Sequence, residues 1–302
     1  MNRTFYGAID IGGTKTSTAV FDGEKNLLSI QTFSTCGYSC HDLVLQCREK
    51  LELQCKDINA NVNDIQALGV ASPGPLDLNS GTVVHIPTLG WRNEPLRAYF
   101  EQAFNRRIVV QNDTNAAALG EYVFGGGKGY PVIVYITVST GIGCGIVIDG
   151  KIFRGAADAA GELGHMKMVK DGRACGCGGR GCLEAYASGT SISAIASEII
   201  GKKIHAKEVF QMAREGHPEM TEIVLNAGEM LGAAISYLYQ IVDPSVVIIG
   251  GSVTNDFDVL GPLILSAAEK NVQPHPLRTI RIVKSELKGH QVLMGAVCLA
   301  MQ

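Results

Sequence analysis

The chain has 302 residues, 46% of them apolar, and a formal net charge of −3 at pH 7. That length suits two core-bearing domains. The mildly acidic balance argues against a general nucleic-acid surface, and no apolar stretch reaches the roughly 18 residues a membrane span needs. The opening residues run into a strand with no apolar h-region ahead of it, so a cytoplasmic protein with neither nucleic-acid nor membrane partners is expected. Nine cysteines is an odd number, which fits poorly with a secreted, disulfide-stapled chain.

In chain order, residues 5–11 and 17–22 read as strands joined by the turn G-G-T-K, with a third strand at 27–33. A polar helix fits 41–56. Cys36, Cys40, Cys47 and Cys55 fall in this region with irregular spacing, and we read them as semi-buried thiols rather than a second metal site. A strand at 66–71 leads into S-P-G-P, and another at 107–111 ends in Asn112-Asp113, followed by a helix over 114–122 with Thr114 as its N-cap. The pattern then restarts: V-I-V-Y-I-T-V is a strand, S-T-G-I-G-C a glycine turn, G-I-V-I-D a second strand and D-G-K-I a hairpin. Two such units predict a duplicated α/β architecture with a cleft between its halves. Residues 188–242 read mainly as helices, 245–249 as a strand ending in Gly250-Gly251, 279–284 as a late strand and 291–301 as a closing apolar helix.

Three glycine turns sit at strand ends. Asp10-Ile11-Gly12-Gly13-Thr14-Lys15 can bring backbone N–H groups up to phosphate oxygens, with Thr14 and Lys15 adding donors and Asp10 able to hold a hydrated Mg²⁺. The same residues equally suit a plain tight hairpin. The spacing matches neither a Walker A loop nor the dinucleotide fingerprint. Thr140-Gly141-Ile142-Gly143-Cys144-Gly145 offers a second cradle and Gly250-Gly251 a third. Asp113, at a strand end facing the cleft, suits an acceptor for the proton of an attacking hydroxyl, or else only a helix cap.

The densest cluster runs from Glu162 to Glu184. His165, Cys175, Cys177 and Cys182 supply three thiolates and one imidazole, the ligand set of a closed tetrahedral zinc site. The intervening residues are mostly glycine and arginine and cannot form a core, so the metal would staple the loop. Four protein ligands leave no open position, which marks the zinc as structural. Glu162 precedes His165 by three residues, so on a helical turn both share a face and fixing the imidazole fixes Glu162.

These motifs together resemble the ROK family (repressor, open reading frame, kinase) over essentially the whole chain: D-I-G-G-T-K, N-D-T-N-A-A-A-L-G-E, S-T-G-I-G-C-G-I-V-I-D-G-K leading to G-E-L-G-H, and C-G-C-G-G-R-G-C-L-E. The resemblance implies an actin-like ATPase (ribonuclease H-like) α/β fold of two lobes. We expect an N-terminal lobe of 1–113, to which 290–302 returns, and a C-terminal lobe of 114–289 carrying the zinc loop. It further implies an ATP-dependent kinase acting on a hexose, at its 6-hydroxyl, with Asp113 as general base. Gly74, Thr88, Asn112, Asp113, Glu162, His165 and Glu184 would bind the sugar. Asp10, Gly12, Gly13, Thr14, Lys15, Thr140, Gly141, Gly143, Gly250 and Gly251 would surround ATP with its Mg²⁺. A homodimer is expected from the family alone.

One departure bears on the substrate. The family commonly shows N-L-G-W where this chain has Thr88-Leu89-Gly90-Trp91, and one hydroxyl makes fewer hydrogen bonds than an amide. A 2-acetamido sugar, a rarer epimer or a glycoside thus competes with glucose, with Arg92 and Asn93 placed to compensate. The rival reading is a sugar-responsive regulator of the same family, or a non-catalytic sugar sensor. Regulators carry a helix-turn-helix ahead of D-x-G-G-T, and here that motif begins at Asp10, so the kinase is preferred.

Overall fold

The computed structural model describes residues 4–302. Its first elements are β1 (Phe5–Ile11), β2 (Lys15–Asp22), β3 (Leu27–Ser34), α1 (Cys40–Asp57), β4 (Ile65–Ser72), β5 (Leu76–Asp77), β6 (Thr82–Ile86), β7 (Trp91–Glu94), α2 (Leu96–Phe104), β8 (Arg107–Asn112) and α3 (Asp113–Phe124). There follow β9 (Val132–Val138), β10 (Ile142–Ile148), β11 (Lys151–Ile152), α4 (Glu184–Ala187), α5 (Gly189–Ile200), α6 (Ala206–Arg214), α7 (Pro218–Ile241), β12 (Val246–Gly250), α8 (Phe257–Asn271), β13 (Ile282–Lys284) and α9 (Gln291–Met301). Among the described residues no helix is long and apolar enough to cross a membrane.

The chain forms two compact units. The first takes residues up to Phe124, with Gly155–Asp158 and His290–Gln302; the second takes Gly125–Arg154 and Ala159–Gly289. The main sheet of the first unit has the order β3-β2-β1-β4-β8, and that of the second β11-β10-β9-β12-β13. In each, the first three strands are an antiparallel meander, and the last two run parallel to the innermost of them. The two sheets are thus one topology used twice. The buried strands show why. β12 (V-V-I-I-G) is buried at every position, as a strand covered on both faces must be, whereas the edge strand β3 alternates between half-buried and exposed residues. A small sheet, β5-β6-β7, occupies 76–94 of the first unit. Its strands are too short to show a period, and the sequence reading leaves them out.

In the first unit α1 packs Leu43, Val44, Cys47, Leu51 and Cys55 against the sheet, and its N-terminus is capped by Ser39, which accepts from the Asp42 N–H at 3.1 Å. Cys40, Cys47 and Cys55 are buried core residues whose thiols are pushed well above the ordinary range by burial, and Cys36 is exposed.

The expected boundary after residue 113 does not hold. All of α3 belongs to the first unit, because α3 and α9 meet backbone to backbone. Gly120 lies against the Gln291 carbonyl and Gly295 against the Ala116 carbonyl, and a Cβ on either glycine would overlap that oxygen. Gly295→Ala is therefore a test with a clear sign. Helix propensity alone would favour alanine by about 1 kcal/mol, whereas the close approach predicts a loss of about 3 kcal/mol or more in urea unfolding. Two shorter differences concern strands. The late strand is only Ile282–Lys284, since pairing with β12 extends over three residues. β10 begins at Ile142, so Gly143 and Cys144 lie inside its ladder, opposite Thr137 and Ile136, rather than in the turn.

Candidate active site

In the first unit the parallel strands β1, β4 and β8 end together. Asp10 pairs with Ala71, and Ser72 pairs with Asn112, so Asp10, the S-P-G-P loop and Asn112-Asp113 share the carboxyl edge of the sheet. This is where open α/β sheets take their ligands. Thr114 does not cap α3. Asn112 does, its Oδ1 accepting from the N–H of Thr114 at 3.0 Å and of Asn115 at 3.2 Å. An asparagine side chain reaches both amides, while the Thr114 hydroxyl is turned toward Asp113, 3.3 Å from Oδ1. Oδ1 of Asp113 also accepts the Thr114 N–H at 2.7 Å, which fixes the carboxylate plane.

Asp10 and Asp113 are half-buried neighbours of like charge. Burial, and then the Asp113 charge, lift the Asp10 carboxyl to about 7. Burial also raises Asp113, against the hydrogen bonds from Thr114 that favour its ionised form. A pair of this kind calls for a shared proton or a cation, which fits the hydrated Mg²⁺ expected at Asp10. The G-G-T-K turn is tight: Gly12 N–H donates to the Lys15 carbonyl at 2.9 Å, and Thr14 and Lys15 are exposed. Thr88, in the turn between β6 and β7, lies against it, its Oγ1 3.4 Å from where a Cβ on Gly13 would stand. Gly74 lies beside Asn112, with 3.7 Å between its notional Cβ and Asn112 Nδ2. The first unit thus gathers Asp10, Asn112, Asp113 and Gly74, and separately Thr88 with Gly13.

In the second unit His165, Cys175, Cys177 and Cys182 come together, their ligand atoms all within 4.8 Å of one another. Cys177 Sγ and Cys182 Sγ are 3.6 Å apart, and Cys175 Sγ is 3.7 Å from His165 Nδ1. A tetrahedron with metal–sulfur bonds of about 2.3 Å has edges of about 3.8 Å, so the set fits a zinc ion. The loop is a small hairpin with bridges between Lys167 and Cys182 and between Ala174 and Arg180. Lys167 Nζ donates to Cys182 Sγ at 2.9 Å and offsets part of the thiolate charge. His165 presents Nδ1 to the thiols and Nε2 to Glu162, at 3.9 Å from Oε2, on a 3₁₀ turn over Leu163–His165. Gly164 in that turn permits close approach to the Ile142 carbonyl, which a Cβ would overlap.

Glu184 opens α4 and reaches back to the β9–β10 turn, its Oε2 accepting from the Ile142 N–H at 2.9 Å. Gly250 ends β12 against Tyr135, and Gly251, at φ 89°, packs on the Val138 carbonyl before a 3₁₀ turn, Ser252–Asp256. Beyond it lies a cavity of about 470 Å³ lined by Lys207, Phe210, Arg214, Val253, Asn255 and Asp256 among others. Arg214 joins its walls through ion pairs with Asp256 at 2.8 Å and Asp258 at 2.7 Å. The sequence carries no signal for this cavity, because α6 and the 252–256 turn are brought together only by folding.

A sheet of order 3-2-1-4-5 used twice, with glycine turns and carboxylates at strand ends, defines an α/β protein of the actin-like ATPase fold. A family model described as the ROK family matches residues 6–302, and the chain belongs to that family. It is 33% identical over 312 residues to a glucokinase of Streptomyces coelicolor, covering 97% of this chain and 96% of that one. It is 32% identical over 268 residues to a xylose repressor of Caldicellulosiruptor bescii, covering 83% of this chain and 66% of that one. A ROK family glucokinase from Streptomyces griseus, solved in complex with glucose and AMPPNP, superposes with a TM-score of 0.76 at 32% identity, covering 99% of each chain.

Proposed function

We propose that this chain is an ATP-dependent sugar kinase that phosphorylates a hexose or hexose derivative at its 6-hydroxyl. The observation that carries the reading is the Asp10–Asp113 pair at the shared strand edge of the first unit, with Asp113 oriented by Thr114. Asp113 accepts the proton of the sugar hydroxyl as its oxygen attacks the γ-phosphorus. The new O–P bond forms as the bond from phosphorus to the bridging oxygen breaks and ADP leaves. Asn112 and Gly74, beside the base, hold the sugar along with Thr88, Glu162, His165 and Glu184. His165 offers Nε2 to the sugar side and Nδ1 to the metal.

ATP phosphates are taken by Asp10 through Lys15, by Thr140 and Gly141, and by Gly250 and Gly251. Gly143 retains a place in the nucleotide environment only as part of the β10 ladder. The cavity of about 470 Å³ lies within the range for small-ligand sites and suits the nucleoside. Mg²⁺ at Asp10 would neutralise charge on the transferring phosphoryl group. Zinc on His165, Cys175, Cys177 and Cys182 would be structural. A cytoplasmic homodimer completes the proposal.

Similarity to a xylose repressor favours a second reading, a sugar-responsive regulator, and the intact carboxylate pair favours the enzyme. A coupled ADP-release assay over a hexose panel tests the choice. Saturable, sugar-dependent ADP release is expected, with at least one 2-acetamido sugar or epimer competing with glucose, given the single hydroxyl of Thr88. No release on any sugar, together with a gel shift on operon DNA, would sink the kinase reading.

A further inference from the structure

We propose that Glu184 is a positioning residue for the nucleotide: its carboxylate holds the β9–β10 turn, so the segment carrying Cys182 also sets the backbone offered to phosphate. The inference rests on reading Thr140-Gly141 as a phosphate contact, and it gives Glu184 a duty beyond the sugar.

Glu184 Oε2 accepts the Ile142 N–H at 2.9 Å, a charge-assisted bond across 42 residues of sequence. Gly141 rests directly on the same oxygen, since a Cβ there would stand 2.5 Å from Oε2. Oε1 lies 3.7 Å from Cys175 Sγ, on the metal side. The main chain of Glu184 is pinned in turn, its carbonyl accepting from the Ser191 hydroxyl at 2.6 Å. Five residues on, at the start of α5, Gly189 N–H donates to the Ser139 carbonyl at 2.7 Å, and a Cβ at Gly189 would stand 2.8 Å from that oxygen. Ser139 N–H donates to the Gly141 carbonyl at 2.9 Å, closing the turn, and Ser139 Oγ is 3.1 Å from Ser252 Oγ, next to Gly251.

The chemistry follows from these bonds. A backbone cradle binds polyphosphate well only when its N–H groups are already aimed. The carboxylate takes up the Ile142 N–H as an anchor, which leaves the residues before it to face phosphate and fixes their peptide planes.

The test is the AMPPNP dissociation constant by calorimetry, without sugar, for wild type, Glu184→Ala, Glu184→Gln and Glu184→Asp, each checked for zinc content. Loss of the anchor in Glu184→Ala should weaken AMPPNP about tenfold. Glu184→Gln keeps an acceptor oxygen for the Ile142 N–H and should bind AMPPNP within about twofold of wild type, while its sugar KM rises. Glu184→Asp is one methylene short of the turn and should weaken AMPPNP like alanine; it decides the matter if the alanine variant does not fold. Wild-type affinity in both short variants, or equal losses in glutamine and alanine, would overturn the inference. Failure of the underlying reading shows separately, as a wild-type protein that does not bind AMPPNP at all.

Discussion

Asp113→Asn is expected to lower kcat by about 10³-fold while leaving the fold and the metal loop in place. Asparagine is nearly isosteric and keeps an acceptor for the Thr114 N–H, now at 2.7 Å, so α3 keeps its start. What it loses is the ability to take a proton. Near-normal turnover on the best sugar would remove Asp113 from the role of base. The same substitution should make the protein more stable at neutral and alkaline pH. A carboxyl whose folded-state pKa is raised binds its proton more tightly in the native state than in the unfolded one. Stability therefore falls as pH rises from the unfolded value near 4 through the folded value, and stays low above it. For Asp10 that window closes at about 7. Asp10→Asn and Asp113→Asn should thus raise the melting temperature at pH 8 and leave it unchanged at pH 3.5. In the active enzyme, the acid limb of kcat/KM should lie above the ordinary carboxylate range, because Asp113 must be ionised to work and its pKa is raised by burial. An acid limb near pH 4 would contradict that assignment.

Removing the metal with a chelator is expected to raise the sugar KM at least about tenfold, with a smaller loss in AMPPNP affinity. The loop from Lys167 to Cys182 has few apolar residues and two isolated bridges, so on the proposed zinc reading the ion would be what chiefly holds the thiolates and His165. Once His165 is released, the 3₁₀ turn that places Glu162 loses its support. The proposed nucleotide contacts should feel the loss less, because the Ile142 bond to Glu184 and the Gly189 bond to Ser139 do not run through a metal-ligating side chain. Metal-free protein with an unchanged sugar KM would make the cluster a distant staple. Lys167→Met offers a graded version. Without the ammonium 2.9 Å from Cys182 Sγ, zinc should be lost to a competing chelator more readily, read directly from zinc content.

Much of the fold was legible because it depends on local pattern. β1, β9 and β12 are largely apolar runs rich in Ile and Val, and they appear where the runs do. The polar helix read at 41–56 appears as Cys40–Asp57 and the apolar closing helix as Gln291–Met301. The metal ligands were legible for a different reason: three of the four lie within eight residues, so spacing alone brings them together. What stayed hidden is what distance in sequence conceals. Nothing in the sequence singles out the glycines at 120 and 295, and each is explained only by the carbonyl of the other helix that it meets. Thr114 was the natural cap by residue type, but Asn112 reaches the amides first. Gly143 read as part of a cradle, and it is a ladder residue because β9 extends far enough to pair with it.

The chain by itself determines the repeated strand–turn–strand units, the thiolate and imidazole set and the carboxylate after β8, since each is written in a few consecutive residues. Only the tertiary structure decides that Asp10 neighbours Asp113, that α3 is anchored by α9, and that Glu184 grips the turn at Ile142. Those relations join segments tens to hundreds of residues apart, and they exist only after burial has paired the strands and brought the glycine backbones into contact.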